Sequence, residues 1–179
     1  METAVKTTWA IDPTHSEIQF KVKHLVISTV TGSFKQFEGT VETEGEDFTT
    51  AQIQFSADIA SIDTNQEQRD QHLRSADFFD AETHPKLTFV STSVEKTGDD
   101  TYKITGDITI KGTTKSIVLN AEYGGSMVDF YGNHKAGFEL SGKINRKDFG
   151  LTWHAVTEAG GVVVADEVKL VINVQVAKQ

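Results

Sequence analysis

The sequence predicts an all-β fold of about eight antiparallel strands with one or two short helices. Three observations predict it. Apolar and polar residues alternate at period two through eight separate runs, the pattern of half-buried strands. Glycine- and aspartate-containing turn residues stand between several of those runs. Only two stretches, 64–75 and 148–161, break the alternation. A chain of 179 residues fits one domain. At that length a fold buries roughly 70% of its unfolded surface without needing disulfides or metals.

In chain order, Ile18, Phe20, Val22 and His24 share one face, with Gln19, Lys21 and Lys23 on the other. Gly39 to Glu42, after Phe34 and Phe37, supplies a second strand. Ile53, Phe55, Ala57 and Ile59 alternate with Gln52, Gln54, Ser56 and Asp58. The stretch Thr64 to Ser75 is rich in Gln, Glu and Arg. Its Thr64-x-x-Glu67 has capping-box spacing, so a short helix is predicted to start there. Leu87 and Phe89 open a further run after Pro85, followed by Tyr102, Ile104, Gly106, Ile108 and Ile110. Then come Ile117, Leu119, Ala121 and Tyr123, next Ala136, Phe138, Leu140, Gly142 and Ile144, and finally Val168, Leu170, Ile172, Val174 and Val176. Gly98-Asp99-Asp100, Lys111-Gly112-Thr113 and Gly124-Gly125 are predicted hairpin turns. Asp148 to Gly161, with Trp153 and His154, is expected to include a helical turn.

Consecutive amphipathic strands close as a sandwich or as a barrel, and alternation does not separate the two. Small residues recur on the apolar faces: Ala57, Gly106, Ala121, Ala136 and Gly142. They fit a barrel that keeps room for one ligand, or bends and close sheet contacts. With 26 Asp and Glu against 17 Lys and Arg, the net charge is -9. That balance argues against a nucleic-acid partner and against recruitment to an anionic membrane. The absence of cysteine excludes disulfides, thiolate zinc sites, iron–sulfur clusters and a thiol nucleophile. No run approaches the ~20 apolar residues of a membrane helix, so an integral membrane protein is not expected. Met1 to Ala10 lacks the basic start and apolar run of a signal peptide. The expectation is a cytoplasmic protein, or a periplasmic one where a leader precedes this sequence.

Candidates for chemistry are few. Asp12, His15 and Ser16 are the residue types of a hydrolytic triad. Yet His15 and Ser16 are neighbours at a strand entry, where side chains point to opposite faces, so local hydrogen bonding is the expected role. Histidines 15, 24, 72, 84, 134 and 154 show no metal-ligand spacing, and no glycine-rich phosphate loop occurs. No catalytic residue, metal or cofactor is expected.

Several motifs resemble one family. Trp9 to Phe20, His24-Leu25 and Gly32-Ser33-Phe34 are similar to the opening of the YceI-like family. Ser61 to Thr64, then Arg69 to Asp80, resemble its longest motif. His84-Pro85 to Phe89, Gly106 to Thr114 and Ile144 to Gly150 complete the likeness. The resemblance divides the chain into an extension, 1–8, and a barrel domain, 9–179. It implies a lipocalin-like antiparallel barrel whose hydrophobic tunnel binds a polyisoprenoid or other long-chain, fatty-acid-like lipid. It further implies a homodimer that binds rather than catalyses, with lipid copurifying.

Strand phase turns Ile18, Phe20, Val22, Phe55, Ala57, Ile59, Phe89, Ile104, Ile108, Leu119, Phe138 and Leu140 inward. With Phe34, Phe37 and Phe78 they form the tunnel lining that the resemblance implies. Eleven Phe against two Met gives such a lining little rotamer freedom to lose. The only three arginines, Arg69, Arg74 and Arg146, lie inside the family motifs. With His72 they are candidates for contact with a polar lipid head. Alternatively the arginines pair with Asp70, Asp77, Asp80 or Asp148 and fix the helix on the barrel. Three functions remain: a lipid carrier, store or chaperone, an enzyme working at the cavity mouth, and a scaffold without ligand.

Overall fold

Apolar faces on successive strands must be buried against one another, and the strand pairing shows that they are buried inside a closed barrel. The computed structural model describes residues 6–24, 28–45, 47–76, 78–151 and 164–179. Its strands are β1 (Lys6–Ile11), β2 (Glu17–His24), β3 (Ser28–Phe34), β4 (Phe37–Glu44), β5 (Asp47–Asp58), β6 (Ile62–Asp63), β7 (Lys86–Lys96), β8 (Thr101–Ile110), β9 (Thr113–Val128), β10 (His134–Asn145) and β11 (Val164–Lys178). The helix α1 (Glu67–Arg74) lies between β6 and β7.

β1 and β2 lie end to end along β11, interrupted by the 3-10 turn Pro13–His15. β4 and β3 lie end to end along them in the same way. Counted as two interrupted strands, these complete an eight-stranded antiparallel barrel in chain order, which β11 closes against β1 and β2. The eight runs of the sequence correspond to the eight staves. β1 and β3 add halves that no run announced.

The turns follow local chemistry. Lys111 and Gly112 both have positive φ (51° and 76°), the geometry of a two-residue hairpin between β8 and β9. Gly98 to Asp100 turn β7 into β8 as predicted. The predicted turn at Gly124-Gly125 is instead a bulge inside β9. Phe138 pairs with Tyr123 and Gly137 with Gly125, which leaves Gly124 unpaired, and Gly125 sits at φ 117°. The hairpin comes later, where the Asp129 carboxylate accepts from the amides of Tyr131 and Asn133, both at 2.9 Å. This turn holds Phe130 and Tyr131 out in solvent.

The predicted helix begins at Glu67, but without the capping box. Gln66 is the N-cap and makes no side-chain cap bond. After β10 comes a 3-10 helix, Arg146–Phe149, ended by Gly150 at φ 76°; most of the 148–161 segment, where a helical turn is expected, lies outside the described residues. Trp153, His154 and Asp77 lie outside the described residues. Among those described, no helix is long and apolar enough to cross a membrane.

Candidate functional site

The barrel interior is hollow. Phe20, Ile53, Phe55, Leu140, Leu170, Ile172 and Val174 point inward, yet each keeps accessible surface, because they border a cavity of about 540 Å³. A barrel filled by side chains would bury them fully. All eight staves contribute to the wall, and the lining is overwhelmingly aliphatic and aromatic. Polar lining residues gather near α1, where Thr64, Gln66, Gln68, Arg69 and His72 meet Arg146. At the far end the cavity meets Phe48 and Phe138, next to Trp9 and Tyr123.

Of the predicted lining, Ile18, Phe20, Val22, Phe34, Phe55, Phe78, Phe89, Ile104, Ile108, Leu119, Phe138 and Leu140 border the cavity. Phe37, Ala57 and Ile59 do not. Phe37 packs on Phe55 with ring centroids 6.2 Å apart. Ala57 is 1% exposed, between Phe37 and Leu87 in register. Ile59 leaves the strand for a 3-10 turn, where its amide donates to Pro85 O at 2.9 Å. The whole inward face of β11, from Val168 to Val176, also borders the cavity. Its alternation is plain in the sequence, but it was not among the predicted lining residues. Phe48 had no clear signal, because it precedes the regular alternation of β5.

Of the small residues on the inner face, Ala121 borders the cavity, whereas the space beside Gly106 and Gly32 is filled. A Cβ on Gly106 would lie 2.4 Å from Phe89 Cζ, and one on Gly32 would lie 2.3 Å from Phe20 Cζ. At these glycines the tip of a neighbouring ring comes close to the backbone. At Gly106, the close-contact alternative describes the packing.

Thr64 organises the polar end. Its backbone amide and its hydroxyl both donate to Asp70 Oδ1, at 2.9 and 2.5 Å. Arg69 Nε donates to the same hydroxyl at 2.7 Å, and Nη2 donates to Thr64 O at 2.8 Å. Arg69 is thus anchored to the loop before α1 while it borders the cavity. Arg74 lies outside the lining and bonds Glu67 at 3.0 Å.

Arg146 is 1% exposed. It donates to Leu151 O at 2.6 Å and Ala165 O at 2.9 Å, and its Nη2 stands 3.7 Å from Asp166. Its guanidinium carbon is 5.9 Å from the Phe78 ring centre. Burial pulls its pKa down and Asp166 opposes that shift. The described partners of the three arginines are thus backbone carbonyls, Thr64, Glu67 and Asp166 rather than Asp70, Asp80 or Asp148, while Asp77 lies outside the described residues.

Asp12, His15 and Ser16 do not form a relay. Asp12 accepts from Lys135 Nζ at 2.7 Å and from Thr14, and lies 2.8 Å from His15 Nδ1. Lys135, followed by Thr14 and His15, holds its carboxyl well below the usual carboxylate range, and the same bond raises the Lys135 pKa. Ser16 Oγ instead accepts from the Gln175 amide at 3.0 Å, across the interruption between β1 and β2.

The family model for the YceI-like domain matches residues 9–176. Protein YceI of Escherichia coli is 39% identical over 178 residues, which span 98% of this chain and 90% of that protein. The crystal structure of the Campylobacter jejuni YCEI protein aligns with a TM-score of 0.75 at 35% identity, covering 88% of this chain and 90% of that one. A polyisoprenoid binding domain from Saccharophagus degradans, implicated in plant cell wall breakdown, aligns with a TM-score of 0.70. Its 16% identity, over 99% of this chain and 100% of that one, speaks for the fold alone.

Proposed function

Because this chain belongs to the YceI-like family, we propose that its barrel binds one long-chain lipid, a polyisoprenoid or fatty-acid-like molecule, as a carrier or store rather than as an enzyme. The observation that carries the reading is the largely apolar cavity inside a closed barrel, with Thr64, Gln66, Gln68, Arg69 and His72 of the α1 region and Arg146 among the few polar residues of its wall. The tail would occupy the aliphatic interior. The head would meet Gln66, Gln68, Arg69, His72 and Arg146.

The energetics favour the chain over the head. Each buried methylene contributes roughly 0.8 kcal/mol, so 15 of them supply about 12 kcal/mol before ordering costs. A hydrogen bond to a charged head adds about 1.5 to 3 kcal/mol. Affinity therefore follows tail length, and the head sets orientation.

Mass spectrometry of an organic extract of the purified protein tests the proposal, followed by reloading of delipidated protein. A single-tailed lipid in near-stoichiometric amount is the expected result. Failure to bind any long-chain lipid, even after incubation with one, would overturn it. The family resemblance also supports a homodimer, which light scattering on the purified protein checks.

A further inference from the structure

The ladder between β9 and β10 stops short in the wall of the barrel. It runs from the pair His134–Val128 to the pair Ser141–Asn120. Beyond that, residues 113–119 stay paired with β8, and residues 142–145 stay paired with β11. Among the described residues, no pairing joins these two segments to each other. A closed barrel ordinarily leaves no strand edge, because an edge gives up backbone hydrogen bonds. Gly142 stands at the apex of the gap. A Cβ there would lie 2.6 Å from Leu119 Cδ2 and 3.1 Å from Val118 O, so the strands still touch at this point. From the apex the seam runs toward Arg146, which follows β10 directly and borders the cavity at its polar end.

A hollow on the outer surface occupies the seam, with Ser116 and Val118 on one side and Lys143 and Asn145 on the other. Ile117, Ile144 and Leu170 border both this hollow and the inner cavity. One layer of side chains therefore separates the two. Ile117 and Ile144 are half-buried, and no ladder ties their strands together here. Phe149 also lines the hollow, buried, on the 3-10 turn rather than on a strand.

We propose that this seam is a lateral gate through which the lipid tail enters and leaves the barrel. The inference rests on the lipid-binding reading above and adds the route. A tail passing here displaces the side chains of Ile117, Ile144 and Phe149 but breaks no β9–β10 ladder bond. The neighbouring seam is different: β10 and β11 are paired without a break from Lys135–Ala177 to Asn145–Glu167. The far end offers no easier path, since Phe48 and Phe138 meet edge to face at 4.9 Å, backed by Trp9 and Tyr123, each 5.3 Å from one of them. A lateral route also lets the head stay beside α1 while the tail swings through the wall.

The chain has no cysteine, so an introduced pair can be cross-linked selectively. Val118→Cys with Lys143→Cys uses the exposed positions that would come next after Asn120 and Ser141 on the outer face. A short bis-methanethiosulfonate linker ties these strands together, and dithiothreitol releases them. Asn120→Cys with Ser141→Cys, linked in the same way across the intact ladder, is the control. The measurement is stopped-flow uptake and release of a fluorescent long-chain fatty acid by delipidated protein, with circular dichroism checking each fold. The cross-linked Val118→Cys/Lys143→Cys protein should load and release about tenfold more slowly or worse, a barrier higher by about 1.4 kcal/mol. Its affinity should be unchanged, and dithiothreitol should restore both rates. Gly142→Ala presses on Leu119 and Val118 O at the apex and should speed both rates.

Unchanged rates after cross-linking, or equal slowing in the control pair, overturn the gate while leaving lipid binding in place. Uptake of the acid by none of the proteins, wild type included, overturns the lipid reading and the gate together. Should the first pair resist cross-linking, Gly142→Ala carries the test, and unchanged rates in that folded variant overturn the gate.

Discussion

Arg146 separates a structural role from a head-group role, and Arg146→Met tests the difference. The guanidinium is 1% exposed and holds Leu151 O and Ala165 O, joining the 3-10 turn after β10 to the start of β11. Methionine fills similar length but donates nothing, so both carbonyls lose this donor. Leaving a buried acceptor without its partner costs about 1 to 3 kcal/mol. Breaking a buried charged cluster by removing one member typically costs about 3 to 5 kcal/mol in all. For a domain of this size each kcal/mol shifts Tm by roughly 2 to 4 °C, so the variant should melt about 10 to 15 °C lower. Arg146→Lys keeps the charge but cannot hold the two carbonyls with one planar fork, and should fall between the two. Thermal and urea melts of the delipidated proteins measure this. At temperatures where Arg146→Met remains folded, it should still bind a neutral long-chain alcohol. Wild-type stability in Arg146→Met, or lost binding of the neutral chain by a folded variant, would refute the assignment of Arg146 as chiefly a structural tie.

Three further outcomes are expected. Phe55→Asp places a carboxylate on the cavity wall, which costs several kcal/mol when unpaired against a total of about 5 to 15; it should abolish lipid loading, and normal loading in a folded variant would count against the cavity as the lipid site. The Asp12 carboxyl is held low, so its stabilisation is complete above the ordinary aspartate value of ~4 and is lost as pH falls through the lower folded value. Lys135 is held high, so its share is complete below ~10.4 and is lost as pH rises through the higher folded value. Melting curves of Asp12→Asn against wild type should therefore differ most between about pH 5 and 9, and a difference that grows on acidification contradicts the ion pair. Among the described residues no three His, Asp or Glu side chains gather as a metal site. A chelator should leave Tm unchanged, and a fall of several degrees would reveal a bound ion.

The number of barrel staves was legible because period-two alternation reports which face of a strand is buried, whatever the strand pairs with. β1 and β3 were not legible, for a related reason. β3 reads Ser-Thr-Val-Thr-Gly-Ser-Phe, with too few apolar residues to show a period. β1 buries Thr7 beside Trp9, and a threonine carries little hydrophobic signal. Closure was hidden as well, since a sandwich and a barrel give the same alternation. The Gly124-Gly125 error shows the limit of turn chemistry. The backbone freedom that lets glycine make a hairpin also suits a bulge, and only the pairing of β9 with β10 distinguishes the two.

The site was legible as a set of inward positions but not as a void. Ala57 and Phe55 have the same strand phase, yet Ala57 is packed solid while Phe55 faces empty space. Phase says which way a side chain points, whereas a cavity depends on whether the chains pointing inward fill the volume enclosed. That is a property of barrel radius, set by strand number and stagger, and it is shared by all staves rather than written in any one of them. The arginines make the same point for charge. The sequence offered aspartates as partners, but a guanidinium fork also fits carbonyl oxygens, and Arg146 found them at the end of a 3-10 turn that alternation could not announce. Because those carbonyls engage Arg146 where it borders the cavity, the polar end is ordered before any head group arrives.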